Sequence, residues 1–170
     1  MLSSRLHSGF TLLETLVATS ILMIGVIGPL IVATRGITDG LYAQNQITAS
    51  FLAEEAIETI INRRDSNILV GDPWDTGFKN NDTQLEIDPA TGDILTGECV
   101  DSQGCFLNYN ASAGYYVNSP TGPGAFQRRA EVSGITDGGV EIGKKITVTV
   151  WWKNKTLPQH FTMIGYIYAE

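Results

Sequence analysis

Few residues in this sequence have types and spacings that could do chemistry, and one carboxylate stands apart from the others. Glu14 lies four residues after Phe10 inside an apolar run, and twenty uncharged residues, 15–34, follow it before Arg35. A charge at the start of such a segment is expensive to keep, so its presence points to a function. Glu54, Glu55 and Glu58 form the only paired carboxylates, and their helical spacing reads as a solvated face rather than an acid–base pair. Asp72 and Asp75 offer oxygens of the kind that a hard cation takes. Their spacing lacks the D-x-D-x-D-G loop, so turn capping is the better reading. Arg128 and Arg129 are adjacent on an extended stretch and point to opposite faces, which makes no anion clamp. His7 sits near the N-terminus and His160 near the start of a strand. The sequence has no G-x-S-x-G, H-E-x-x-H, P-loop or C-x-x-C, so no catalytic residue, metal site or cofactor is assigned and the chain reads as a non-enzyme.

The element that positions Glu14 is a helix. At about 1.5 Å per residue, residues 15–34 span roughly 30 Å, the hydrocarbon thickness of a bilayer. Gly25, Gly28 and Pro29 interrupt the run. Proline removes the bond to the carbonyl of Gly25, and both glycines weaken the helix locally. These three residues read either as a tolerated kink or as a point where the segment can unwind. Beyond Arg35 the pattern becomes amphipathic: Ala49, Leu52, Ala53, Ala56, Ile57 and Ile60 recur at steps of three and four, with Glu54, Glu55 and Glu58 opposite. The helix is expected to end at Asn62-Arg63-Arg64, where two arginines suit the negative end of the dipole. A helix from Phe10 to Arg64 would be roughly 80 Å long, more than one globular domain needs.

Gly9-Phe10-Thr11-Leu12-Leu13-Glu14 resembles the class III leader and N-terminal motif of type IV pilins and type II secretion pseudopilins. The resemblance covers residues 8–34 and implies cleavage between Gly9 and Phe10, N-methylation of the new amine on Phe10, and an assembly role for Glu14. It also implies prepilin peptidase and other pilin or pseudopilin subunits as partners, and a single pass of the inner membrane with the N-terminus on the inside and the bulk of the chain outside. An ordinary secretory signal fits less well, because the run is longer than a signal's apolar core and Val32-Ala33-Thr34 is a poor cleavage site. Cys99 and Cys105 are the only cysteines. An even count in an exported chain suggests a disulfide, with two free thiols as the alternative.

With 170 residues the chain has room for one membrane segment and one modest domain. Its 11 basic and 18 acidic residues give a net charge of −7, and no basic stripe invites nucleic acid. The leader occupies 1–9, the membrane and assembly helix 10–34, its amphipathic continuation 35–64, and a β-rich domain 65–170. Turn formers fill 65–82, where Trp74 and Phe78 could pin the loop to a sheet. Strands are expected at 84–88 and 93–96 around Pro89-Ala90-Thr91-Gly92, and less securely at 106–109 and 115–117. The clearest are 126–133, 145–153 and 160–168, an antiparallel meander with Ile146, Val148 and Val150 on one face and Thr147, Thr149 and Trp151 on the other. The expected fold is therefore α+β and pilin-like: a long N-terminal helix whose second half packs on a C-terminal antiparallel sheet through Leu52, Ile57 and Ile60.

Three functions fit. The first is a minor pilin of a type IV pilus, since Gly25-Val26-Ile27-Gly28-Pro29-Leu30 after Thr15-Leu16-Val17-Ala18 resembles the type IV pilus modification proteins. The second is a minor pseudopilin of a type II secretion system. The third is a membrane-anchored periplasmic binding module, against which stands Glu14, since a mere anchor has no reason to keep it.

Overall fold

A computed structural model of the chain describes residues 11–78, 85–88, 91–96, 105–119, 124–154 and 157–169. They form one helix and seven strands. The chain divides into two compact units, Met1–Ala43 and Gln44–Glu170. The division falls inside the helix, shortly before the helix begins to carry buried residues at Ala49.

Helix α1, Leu12–Val70, starts at a cap. The Thr11 hydroxyl accepts the backbone N–H of Glu14 at 3.3 Å, which satisfies one of the donors that a helix start leaves open. In the first unit the helix buries none of its described side chains. Its hydroxyls are satisfied internally: Thr15 donates to the Leu12 carbonyl at 2.9 Å, Ser20 to Leu16 at 2.7 Å and Thr34 to Ile31 at 2.9 Å. Such back-bonding lets a hydroxyl sit on an apolar surface without an unmet donor.

In the second unit the helix turns one face inward. Ala49, Ala53, Ala56 and Ile60 are fully buried and Leu52 nearly so. The helix runs six residues past the expected end at Arg64 and stops at Val70. Gly71, at φ 81°, supplies the left-handed turn, and the Asp72 N–H bonds the Asn67 carbonyl at 3.0 Å, as in a Schellman stop. Buried Asn67 holds the segment that follows, donating to the carbonyls of Trp74 at 3.1 Å and Thr76 at 2.9 Å. The last turn carries no basic residue. Arg63 instead reaches the Gly92 carbonyl at 2.9 Å and the Asp93 carboxylate at 3.1 Å, and Arg64 pairs with Asp65 at 2.7 Å.

All strand pairings are antiparallel. β1 (Leu85–Asp88) pairs with β2 (Asp93–Thr96), and β3 (Cys105–Asn110) pairs with β4 (Tyr115–Ser119). The meander follows as β5 (Phe126–Asp137), β6 (Val140–Asn154) and β7 (Leu157–Tyr168), each longer than the alternation alone marks. β5 pairs with β6 along most of its length and, in shorter stretches, with β3 at 126–128 and β1 at Ala130. Gly138 and Gly139, at φ 55° and 86°, make the two-residue turn that matches strand twist. The inner face carries Phe126, Ala130 and Val132 of β5, with Ile146, Val148, Val150 and Trp152 of β6. β7 alternates, with Phe161, Met163 and Ile167 less exposed than Thr162, Ile164 and Tyr166, and Gly165 lets Ile57 of the helix come close: a Cβ there would meet Ile57 Cγ2 at 3.0 Å.

Candidate functional site

The residues singled out by type fall into an N-terminal set on the exposed part of α1 and a set of buried charges in the second unit. Gly9 and Phe10 lie outside the described residues. Glu14 is exposed in the first turn of the helix, where a negative charge also complements the dipole. The helix runs without interruption through Gly25, Gly28 and Pro29. A side chain at either glycine would meet nothing within 4 Å, so packing among the described residues does not require glycine there. Around them Ile21, Leu22, Ile24, Ile27, Leu30 and Val32 are exposed. The helix is long and apolar enough to cross a membrane.

The carboxylates at 54–58 do not all belong to a solvated face. Glu54 and Glu58 are exposed, but Glu55 pairs with Arg128 at 2.8 Å. Arg128 projects inward from β5 with its side chain 3% exposed. It donates to the carbonyls of Leu52 and Ile87, each at 2.9 Å, and so ties the helix to β1 through the sheet. A buried guanidinium is tolerable only when its donors are met this fully. Arg129 faces the other way, over the Trp151 ring at 5.7 Å and paired with Glu131. The sequence reading of opposite faces holds, while the buried role of Arg128 escaped it. The signal was parity: Arg128 has the same register as Phe126, Ala130 and Val132.

Asp75 is engaged by a lysine. Lys144 of β6, 1% exposed, places Nζ 3.1 Å from Asp75 Oδ2 and 3.0 Å from Glu141 Oε1. Nζ also lies 5.3 Å from the centre of the Trp74 ring, and Trp74 meets buried Phe78 edge-on at 6.3 Å. Trp74 and Phe78 do pin the loop after the helix, with Lys144 as the anchor. Among the described residues no group of His, Cys, Asp or Glu could hold a metal ion. Cys105 is 3% exposed on β3, while Cys99 lies outside the described residues. His160 is exposed on β7, opposite Trp151 in the register. Burial, and then the neighbouring Tyr109, push the Tyr116 hydroxyl above the usual tyrosine value of 10.0.

Residues 4–28 match the prokaryotic N-terminal methylation motif. This is the leader motif by which the N-terminus resembles type IV pilin-like proteins. The match contains Glu14, Gly25, Gly28 and the apolar run as far as residue 28, and it marks a substrate of prepilin peptidase. The helix packed on an antiparallel sheet is the α+β architecture that the resemblance implies. No curated protein and no solved structure matches the chain significantly.

Proposed function

We propose that the chain is a structural minor pilin-like subunit, cut by prepilin peptidase and assembled into, or priming, a type IV pilus. The observation that carries this reading is the methylation motif at residues 4–28 leading into a helix whose first part is apolar and exposed on every side. An apolar cylinder without a partner needs lipid or the helices of other subunits around it. The subunit waits in the inner membrane with its second unit outside, then moves to the filament. A minor pseudopilin has the same N-terminal requirements, and the small spacing of Cys99 and Cys105 argues only against a major pilin.

In this reading the cut falls between Gly9 and Phe10, and Phe10 carries a methylated, cationic amine. Glu14 is one turn away. Once helices bundle and exclude water, an unpaired carboxylate is costly. Pairing with the amine of an adjacent subunit removes that cost and fixes the axial offset. Pro29 with Gly25 and Gly28 is the point where the helix unwinds as the subunit leaves the bilayer. Cys99 and Cys105 form a small disulfide, a proposal supported by the absence of any free cysteine among the described residues. Alkylation of non-reduced protein should find no thiol; two alkylated cysteines would refute the bond.

The main test is Glu14→Ala with leader cleavage and filament incorporation read separately. Normal cleavage with lost incorporation is expected. Normal incorporation into sheared filaments would show that the pair is dispensable.

A further inference from the structure

Lys144 is a nucleophile that the assembly reading does not use. Its amine is almost sealed from water, with the carboxylates of Asp75 at 3.1 Å and Glu141 at 3.0 Å and the Trp74 ring beside it. The bulge that places them is specific. In the β5–β6 register Ile135 pairs with Gly143 and Thr136 with Glu141, leaving Ile142 unpaired. In a regular strand residues 141 and 144 would face opposite sides of the sheet. The extra residue brings the Glu141 carboxylate round to the side where Lys144 points. Asp75 arrives from elsewhere in the chain, on the loop that Asn67 fixes after the helix.

An amine, a carboxyl carbon beside it and a second carboxyl in contact with the amine are the parts needed to make an amide. We propose that Lys144 and Asp75 condense into an intramolecular isopeptide bond, with Glu141 as the proton carrier. The ammonium of Lys144 gives a proton to Glu141, which passes it to the Asp75 carboxylate; the ion pair becomes an amine and a carboxylic acid. Nζ attacks Cγ of Asp75 and the N–C bond forms. Glu141 takes the surplus proton from nitrogen and delivers it to the departing hydroxyl. The C–O bond breaks, one water leaves, and Glu141 ends as it began. No oxidant, metal or activated donor is needed. Amide formation is slow in water because the groups must meet and both must be neutral. Here they are held in contact, and positioning of this kind is worth several orders of magnitude in effective concentration. The Asp75 and Glu141 side chains keep 27% and 29% exposure, which gives the released water a way out. The bond would fasten the loop after the helix covalently to β6.

The test is peptide mapping of the full chain extracted from membranes and denatured before digestion. Trypsin should cut the unlinked protein into 65–79 and a peptide ending at Lys144. The linked protein should instead yield 65–79 joined to 130–145, one water lighter than the two peptides together, with no cut after Lys144. Asp75→Ala and Lys144→Arg should each give separate peptides; the arginine keeps the cation and cannot close the bond. Glu141→Gln should slow linkage about a hundredfold, the usual scale of a lost proton carrier. Separate 65–79 and Lys144-terminated peptides from the unaltered chain, before and after prolonged incubation, would overturn the proposal. A bond to Glu141 instead of Asp75 would overturn the assignment of roles, as would an unchanged linkage rate in Glu141→Gln. The readout is a mass in denatured protein, so it does not depend on whether filaments form; a melting transition for Glu141→Gln matching that of the unaltered chain separates a lost proton carrier from a lost fold.

Discussion

Residues 12–43 and 44–70 belong to one helix, yet they meet different physical demands. The first part is apolar and none of its described side chains is buried; Ile24 is 76% exposed and Leu30 61%. The second part alternates faces, with Ala53 and Ile60 at 0% and Glu54 and Glu58 outside. Hydrophobic content alone therefore says little about where a residue ends up. What separates the two parts is whether polar residues recur at helical spacing. Where they do, the helix has an inside of its own. Where they do not, the inside must come from lipid or from other subunits.

The largest expected effect comes from applying one substitution to both parts. Ile60→Ala removes a side chain from the closed core, and such deletions cost roughly 2–5 kcal/mol. The melting transition of the second unit should fall by several degrees. Ile24→Ala should leave that transition where it is, because Ile24 contributes nothing to the core. Thermal unfolding of the full chain in detergent, followed by the near-ultraviolet signal of the sheet aromatics, reads the difference. Equal drops from both variants would mean that the two parts unfold as one and that the comparison fails.

How much of this was legible in the sequence follows the same line. The periodic face of Ala49, Leu52, Ala53, Ala56 and Ile60 marks the packed part, and the alternation of Ile146, Val148 and Val150 marks the inner face of β6. Both are repeating patterns, and repetition survives without coordinates. The helix end was not legible. Arg63 and Arg64 look like a cap, but Arg63 is drawn to Asp93, and the stop is made by Gly71 together with Asn67. Glu55 looked like its neighbours Glu54 and Glu58 because its partner Arg128 is remote in sequence. Lys144 shares the parity of Ile146 and could have been suspected. The bulge that turns Glu141 toward it depends on a register that only β5 sets. Long-range polar partners are the part that local patterns do not encode. The N-terminal site was the reverse case: Gly9, Phe10 and Glu14 are recognised by linear spacing, and in the proposed function their chemistry lies in a leader and in neighbouring subunits.

A second, smaller contrast uses glycines. Gly71 closes the packed part at φ 81°, a region that costs other residues about 1–2 kcal/mol. Gly71→Ala should destabilise the second unit by that amount in denaturant unfolding, although nothing lies within 4 Å of the position. Gly25 also has open space around it but lies inside the helix. There alanine should stabilise the helix by up to about 1 kcal/mol, leave the second unit unchanged, and lower filament incorporation if the segment must unwind to assemble. A loss of domain stability from Gly25→Ala would break the comparison. Normal incorporation would remove the unwinding step from the proposed function.

The smallest effect concerns alkaline pH and only the second unit. Tyr116 packs edge-on against Tyr109 at 5.3 Å and against Phe126 at 5.7 Å. Burial is the larger cause of its raised pKa and the neighbouring Tyr109 the smaller. The sign follows from linkage: a hydroxyl that holds its proton more tightly when folded stabilises the fold fully below the ordinary value of 10.0. That contribution falls away as pH rises from there through the folded value, because the unfolded chain releases the proton first. Tyrosinate absorbance during alkaline titration should therefore show one group ionising above the ordinary tyrosine value of 10.0. In Tyr116→Phe that late step should vanish, and the domain's stability should fall less steeply above pH 10. No part of this should touch residues 12–43, where Tyr42 is the only tyrosine and no packed core is present to lose. A titration in which Tyr116 ionises at the ordinary value of 10.0 would show that its ring is not held as closely against Phe126 as the geometry has it.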